Sequence, residues 1–186
     1  IYNSPIPGVF TICCPMFVGN GVSVFDLTQA EVEVRKLLTK RMAEMRTVPG
    51  FENAYLLDCP PISVRETRHI LGDYILTIED LFNSVDFEDG IGRGAHPIDV
   101  SPISENLQER RLSPRWSFSI PYRSLVPQKI ENLLVAGRCI SATHEAFGCI
   151  RVTSACMVSG QAAGTAAALA VKNKVKPRHL DMDELR

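Results

Sequence analysis

A run of small residues near the C-terminus constrains the fold of this chain more than any other feature. The segment 148–172, GCIRVTSACMVSGQAAGTAAALAVK, contains Arg151 and then mostly alanine, glycine, serine and threonine. Its apolar pattern predicts a helix from about Ser154 to Lys172. Four small residues recur at every fourth position on one helix face: Cys156, Gly160, Gly164 and Ala168. Such a face admits another backbone or a flat ring, although tight packing of the helix on a sheet explains the spacing equally well.

Composition narrows the classes of protein to be considered. The 186 residues have a formal net charge of −1 and no basic run, which argues against a nucleic-acid partner. The chain begins with Ile1 and no charged, apolar leader follows, so we expect it either to be part of a longer protein or to begin after processing. The run Ala155–Val171 is short, rich in alanine and interrupted by Gln161, so we expect no membrane-spanning helix.

The cysteines predict neither a disulfide framework nor a metal site. Six cysteines stand at positions 13, 14, 59, 139, 149 and 156, with no C-x-x-C pair and no histidine at zinc-finger spacing. Because most of them lie in apolar runs, we expect buried, reduced thiols. Reduced thiols favour a cytoplasmic protein.

The first half of the chain predicts short strands and one long helix. FTICCPMFVGNG (10–21) and AYLLD (54–58) favour strands, because they combine β-branched and aromatic residues. Between them, Thr28 and Glu31 form a capping-box pattern for a helix that ends before Pro49.

The middle of the chain predicts a hairpin and a long loop. Residues 62–76 favour two strands around a Gly72-Asp73 turn, and Thr77 favours the cap of a short helical turn. Residues 86–119 lack a pattern and predict a loop, after which 120–127 is expected to be extended.

The C-terminal part predicts a βα crossover. NLLVAGR (132–138) is a continuous apolar run that favours a strand buried on both faces. A loop and the small-residue helix follow it. In open α/β sheets ligands bind where strands end and helices begin, and N–H groups near Thr153, Ser154 and Ala155 could bond an electron-rich oxygen.

Several motifs together resemble a known family. RETRHILGDYILTIEDL (65–81) is followed by P-Y-R-x-L-V-P, N-L-L-V-A-G-R and G-Q-A-A-G within residues 120–170. Over roughly residues 20–172 the chain resembles the C-terminal half of a bacterial FAD-dependent oxidoreductase family, which is distantly similar to the fumarate reductase and succinate dehydrogenase flavoproteins.

The resemblance implies an α+β fold with two parts and a tail. Residues 1–128 would belong to a substrate domain with a mixed or antiparallel sheet, and 129–172 would return as a strand and helix to complete a Rossmann-like FAD domain. Residues 173–186 would be a polar tail. No G-x-G-x-x-G follows any predicted strand, so we expect the ADP-binding part to be missing. FAD is therefore expected in the full-length protein rather than in this chain alone.

The resemblance also implies the residues of the site. The cofactor would be bound by Gly137, Arg138, Ser141, Gly148, Arg151, Thr153 and Ser154. Related flavoproteins often have an acid where Arg138 stands, so phosphate pairing or a structural ion pair is the expectation for that arginine. Substrate contacts are expected from Arg151 and from His144 as a proton donor, with an ion-paired arginine and a hydrogen-bonded loop histidine as the alternatives.

Arg65 and Arg68 are further candidates for an anionic substrate. On an extended strand their odd spacing would place them on opposite faces, so only one of them is expected to line a pocket. The predicted function is a flavin-mediated redox reaction on a small organic molecule. The alternative is a non-catalytic binding or interaction domain that does not retain FAD alone. The expected partners are the missing nucleotide-binding domain and a second copy of the chain, because the small-residue face would otherwise be exposed.

Overall fold

A computed structural model of the chain describes residues 1–12, 15–100 and 116–186. These residues form two compact units, Ile1–Thr67 and Arg68–Arg186. Both predicted domain boundaries, at 128/129 and 172/173, lie inside the second unit. They concerned the parts of a larger protein and remain predictions.

The first unit is built around one long helix. Strands β1 (Tyr2–Asn3) and β2 (Phe10–Thr11) form a short antiparallel pair, and helix α1 spans Val24–Met45. The predicted strand at 10–21 is therefore confined to its first two residues among those described. The segment 54–58 forms no strand, and three of its side chains, Tyr55, Leu56 and Leu57, are exposed.

Helix α1 begins earlier than its predicted capping box. The N-cap is Ser23, whose Oγ accepts from the Asp26 N–H at 3.3 Å and donates to the Asp26 carboxylate at 2.8 Å. Thr28 instead lies inside the helix and donates to the Val24 carbonyl at 2.8 Å. The Thr28 capping box was wrong because a serine–aspartate pair one turn earlier satisfies the first free N–H groups.

The second unit has short strands, four helices and three 3₁₀ turns among its described residues. The helices are α2 (Ile78–Phe82), α3 (His144–Ile150) and α4 (Thr153–Asn173), followed by the four-residue helical turn α5 (Met182–Leu185). The 3₁₀ turns are Tyr122–Leu125, Gly137–Cys139 and Pro177–His179. Thr77 caps α2 with a reciprocal Asp80 bond, so the prediction of a short helical turn capped by Thr77 was confirmed.

Strands β3 (Gly90–Gly94) and β4 (Phe118–Pro121) pair antiparallel with an irregularity between Gly90 and Gly92. The predicted loop at 86–119 therefore contains a strand, while 101–115 lie outside the described residues. The glycines of β3 allow close contact with its neighbours. A Cβ on Gly92 would stand 2.6 Å from a methyl of Val158 in α4, and one on Gly94 would stand 2.4 Å from the Phe118 ring. The small residues of this strand are thus a packing requirement.

The predicted hairpin at 62–76 is not formed. Residues 70–76 instead run between two other segments of the second unit. The Ile70 N–H donates to the Cys139 carbonyl at 3.0 Å, and the Asp73 N–H to the Val126 carbonyl at 2.9 Å. Gly72 serves this close approach, because a Cβ there would lie 2.7 Å from the Cβ of Ser141. Pairing with distant segments overrides the local turn preference of Gly-Asp.

The predicted strand at 132–138 is also absent. Among these residues the Val135 N–H donates to the Leu125 carbonyl at 2.9 Å, but no strand is formed. Leu133 is 41% exposed, so the segment is not buried on both faces. The α+β class with small antiparallel sheets is confirmed, but the returning strand of the βα crossover is replaced by irregular chain and the turn Gly137–Cys139.

Helix α4 has the predicted extent, and it is buried on a different face from the small-residue stripe. Ala155, Ser159, Ala162, Ala166 and Ala170 face the core. Its first half packs with the main cluster around Phe118, Ile120 and Leu125, and its second half with Tyr122, Val126 and Leu180. Leu180 belongs to the predicted polar tail. That tail is therefore folded onto the unit.

Candidate functional site

Two segments of the second unit meet at the N-terminal end of α4. The Gly137 N–H donates to Ser159 Oγ at 2.9 Å, and Ser159 Oγ donates to the Cys156 carbonyl at 3.0 Å. Gly137 has φ +80°, a conformation that glycine adopts without strain. The turn Gly137–Cys139 is thereby held against the second turn of the helix.

The first turn of α4 is accessible. Its N-cap is Val152, whose side chain supplies no capping bond, and Thr153 and Ser154 are both exposed. The first N–H groups of a helix lack carbonyl partners within the helix, and the helix dipole favours an electron-rich oxygen beside them. This helix end therefore offers hydrogen-bond donors to a bound group.

The small-residue face of α4 is also open. No described atom lies within 4 Å of the position that a Cβ would take on Gly160 or Gly164. Ala168 is exposed on the same side, as is Val171. The predicted stripe thus does not pack against the second unit, and it remains available to something else.

Positive charge borders the turn Gly137–Cys139. Arg138 is exposed and close enough to Cys156 to lower the pKa of that thiol, although burial, the larger influence, raises it. Arg68 is also exposed. Its neighbour His69 places Nδ1 3.0 Å from the Ile140 carbonyl, just after this turn. The structure therefore holds the turn with Gly137 and Arg138 against α4, and it brings the backbone next to Arg68 to the residue that follows the turn.

Arg151 is engaged with Asp99. It is the C-cap of α3, and its side chain is 15% exposed. Its Nε and Nη2 donate to the Asp99 carbonyl at 3.2 and 3.0 Å, and Nη2 also contacts the Asp99 carboxylate. The guanidinium thus anchors the chain at Asp99, as the ion-pair alternative anticipated.

Two other predicted cofactor residues are buried. Ser141 is 1% exposed, and its Oγ has no hydrogen-bond partner among the described residues. Gly148 lies beneath Asp99 and Val100, since a Cβ there would stand 2.5 Å from a Val100 methyl. Both residues support the chain around the helix start and do not border the open surface.

His144 lies at the opposite end of α3 from Arg151. It is the first residue of α3, whereas Arg151 follows the last, and seven helical residues span about 10 Å. Its side chain is exposed. Arg65 is exposed and belongs to the first unit, so the structure does not group it with the other candidates.

Two residues that shape the site were missed by the sequence predictions. Ser159 receives the Gly137 N–H, and His69 combines its Ile140 contact with an edge-on contact to the Phe147 ring at 4.9 Å. A polar residue facing the core between alanines was the signal for Ser159. His69 had no distinguishing pattern.

The structure agrees with the predicted free thiols but not with their predicted burial. The four described cysteines are free, as expected, but Cys149 alone is buried, and burial raises its pKa to about 12. In the described ranges no group of three or more metal-ligating side chains occurs.

One described helix, α4, is long and apolar enough to cross a membrane by length and composition, so the judgement that this run is too short was wrong.

An open helix start, exposed arginines and a face of glycines suit a flat, anionic cofactor, as found in cofactor-dependent enzymes. The sequence matches the model of the FAD dependent oxidoreductase family over residues 3–186, and the chain belongs to this family. FAD is accordingly the cofactor of the full-length protein. No curated protein sequence and no solved structure matches the chain.

Proposed function

We propose that this chain forms the isoalloxazine side of the FAD site in an oxidoreductase that acts on a small organic molecule. The observation that carries the proposal is the open start of α4 beside the turn Gly137–Cys139, in a chain of the FAD dependent oxidoreductase family. When bound, FAD supplies the transfer of hydride or electrons to or from the substrate. The residues of this chain would bind the cofactor and orient it.

The helix start is proposed to bond the electron-rich edge of the cofactor. The N–H groups around Thr153 and Ser154 would donate, and the exposed Arg138 and Arg68 would attract negative charge on cofactor or substrate. Gly137 would allow the close approach of a ring, since the position of its absent Cβ is open. Ser141 and Gly148, which are buried, would not contact the cofactor but would hold the neighbouring segments in place.

The remaining candidates keep narrower roles. Arg151 would position the chain at Asp99 and would contact a substrate carboxylate only by exchanging Asp99 for it. His144 would donate a proton only to a substrate that reaches along α3, about 10 Å from Arg151. Arg65 remains a candidate on the first unit.

The ADP half of the cofactor requires a region that this sequence lacks, because no G-x-G-x-x-G follows a strand here. We propose that a Rossmann-like domain preceding this chain in a longer, cytoplasmic protein supplies it. The open Gly160–Gly164 face of α4 is proposed as the surface on which that domain packs. A partner subunit could supply the same region.

A charge substitution at the helix start tests the proposal. In the full-length protein, Ser154→Asp places a negative charge where the cofactor oxygen is proposed to bind, while an acid in the first turn favours the helix itself. Ser154→Asn is the neutral control of equal size. After desalting, we expect visible flavin absorbance in the unchanged protein and the Asn variant, and at least about tenfold weaker FAD binding in the Asp variant, equivalent to about 1.4 kcal/mol.

Two outcomes would reject the proposal. Equal FAD affinity in the Asp and Asn variants would place the cofactor elsewhere. A full-length protein without affinity for FAD would favour the alternative of a non-catalytic binding domain.

A further inference from the structure

Two free cysteines, Cys139 and Cys156, lie on the two segments that meet at the start of α4. The proposed flavin site uses neither thiol. We infer that Cys139 and Cys156 form a reversible redox pair, which a small-molecule disulfide converts to an intramolecular Cys139–Cys156 disulfide. The inference goes beyond the proposed function and does not depend on it.

The packing of the turn on the helix brings the two cysteines together. The Gly137 N–H donates to Ser159 Oγ at 2.9 Å, and Ser159 Oγ donates to the carbonyl of Cys156 itself at 3.0 Å. Cys156 and Ser159 are neighbours three residues apart on one helix, with Cβ atoms about 5–6 Å apart. Cys139 stands two residues beyond Gly137 in a 3₁₀ turn that advances about 2 Å per residue. Cys156 therefore takes part in this contact, and Cys139 stands two residues from it.

The electrostatics of the two thiols agree with this proximity. Burial is the main cause of the raised pKa of Cys156, but Cys139 raises it further and Arg138 lowers it. A thiol influences its neighbour in this way only at short range. Because Arg138 lowers the pKa of Cys156, it would stabilise a thiolate there.

Neither thiol is committed to a strong contact. Cys139 Sγ lies 3.5 Å from the Ala136 carbonyl, and Cys156 Sγ lies 3.5 Å from the Arg151 carbonyl. Thiols are weak donors, so these contacts are readily exchanged for a sulfur–sulfur bond. Cys139 is exposed to a reagent, whereas Cys156 is partly buried. The exposed thiol is thus the entry point and the partly buried thiol is the resolving partner.

The reaction is a thiol–disulfide exchange in two steps. The Cys139 thiolate attacks one sulfur of oxidised glutathione, forms a mixed disulfide and expels one glutathione thiolate. The Cys156 thiolate then attacks Cys139 Sγ, forms the intramolecular bond and expels the second. Two protein thiols are oxidised, one small disulfide is reduced to two thiols, and the two protein protons pass to the released glutathione thiolates. The product bond ties the turn Gly137–Cys139 to α4.

Peptide mapping of the full chain after treatment with oxidised glutathione tests the inference. Trypsin cleaves after Arg138 and Arg151, and a glutamate-specific protease cleaves after Glu145. Together they release Cys139 (139–145), Cys149 (146–151) and Cys156 (152–172) on separate peptides. We expect 139–145 and 152–172 to be joined, and to separate after reduction with dithiothreitol.

Single variants separate the two steps. Cys156→Ser should accumulate glutathione on Cys139, because the resolving thiol is missing, at several times the level in the unchanged chain. Cys139→Ser should leave Cys156 much less reactive. Cys59→Ser is the control, since its cysteine lies in the first unit, and its map should match that of the unchanged chain.

The inference is overturned if Cys139 of the unchanged chain keeps its glutathione or joins any cysteine other than Cys156. It is also overturned if Cys139 and Cys156 are both still alkylated at full yield after the treatment. These results come from the unchanged chain, so they stand even if a serine variant does not fold.

Discussion

Arg123 holds the buried carboxylate of Asp89 through three hydrogen bonds. Its Nε donates to Oδ2 at 2.9 Å, its Nη2 to Oδ1 at 3.2 Å, and its backbone N–H to Oδ2 at 2.9 Å. The guanidinium also lies over the Tyr74 ring, 5.2 Å from the centroid. The pair connects the residue before β3 to the 3₁₀ turn Tyr122–Leu125, and it explains why the arginine of the P-Y-R motif matters to the fold.

Removing the Arg123 side chain should destabilise the second unit by about 2 kcal/mol, because a buried carboxylate would keep only one donor. The expected loss of stability is no larger than this because the Arg123 guanidinium is half-exposed, and solvent therefore screens its charge. Urea unfolding of Arg123→Ala measures it. Lys176→Ala, which removes an exposed pair with Glu131, is the control and should lose less than about 1 kcal/mol. Equal losses of stability for both variants would show that the Arg123–Asp89 pair stabilises the unit no more than an exposed ion pair does.

Two glycine-to-alanine substitutions should have opposite effects on the stability of the chain. Gly92→Ala would place a Cβ 2.6 Å from a Val158 methyl, which should cost about 1–3 kcal/mol through overpacking. Gly160→Ala has open space and a helical backbone, so it should stabilise the chain by about 0.5–1 kcal/mol. Thermal unfolding of both variants compares them. If Gly160→Ala were the more harmful change, the face of α4 that carries Gly160 would be covered in this chain.

The open face of α4 gives a prediction that depends on the proposed function. Gly164→Leu should not destabilise this chain, because nothing described surrounds that position, and like Gly160→Ala it should stabilise the helix by about 0.5–1 kcal/mol. In the full-length protein the same leucine should weaken FAD retention, since it would separate the proposed nucleotide-binding domain from the helix. Val32→Leu, on an exposed position of α1 in the first unit, is the control that introduces a leucine away from this face. Full FAD retention in Gly164→Leu would place the domain interface elsewhere.

The first unit should loosen in acid through Glu31. This carboxylate accepts from the Ile62 N–H at 3.0 Å and pairs with Arg35, and these contacts hold its pKa below the usual value of 4.5, with the Ile62 bond contributing most. A lowered folded-state pKa means that the stabilisation is fully present above the unfolded value and is lost as the pH falls through the folded value.

Hydrogen exchange of the Ile62 amide reports this change directly. Its protection should fall as the pH is lowered below about 4.5, and Glu31→Gln should show reduced protection that no longer follows this titration. Glu33→Gln removes an exposed partner of Lys36 and should behave like the unchanged chain. Protection that is independent of pH in the unchanged chain would contradict the role of Glu31.

The helices were largely predictable from local sequence. The small-residue run predicted α4 to within one residue at each end, and Thr77 predicted the start of α2, because caps and helical periodicity act between residues a few positions apart. The start of α1 was misplaced since two capping patterns, at Ser23 and Thr28, lie one turn apart. Only the contacts of each side chain decide between them.

The strands and the site depended on distant contacts. Gly72-Asp73 favours a turn locally, yet Gly72 packs against Ser141, and the Asp73 N–H bonds Val126. The open helix start could be anticipated near Thr153. That Arg151 would turn to Asp99, or that His69 would contact the Ile140 carbonyl, could not, since no local pattern pairs residues so far apart in the chain.

The sequence by itself determined the helix, its small-residue composition and the family, because these depend on the order of residues alone. The tertiary structure decided which face of α4 is buried. Ala155 and Ala162 pack into the core cluster that contains Phe118 and Ile120, and β3 approaches the helix at Val158 through Gly92, which leaves Gly160 and Gly164 facing outward. Periodicity identifies the faces of a helix, but only the segments packed against it select the one that is buried.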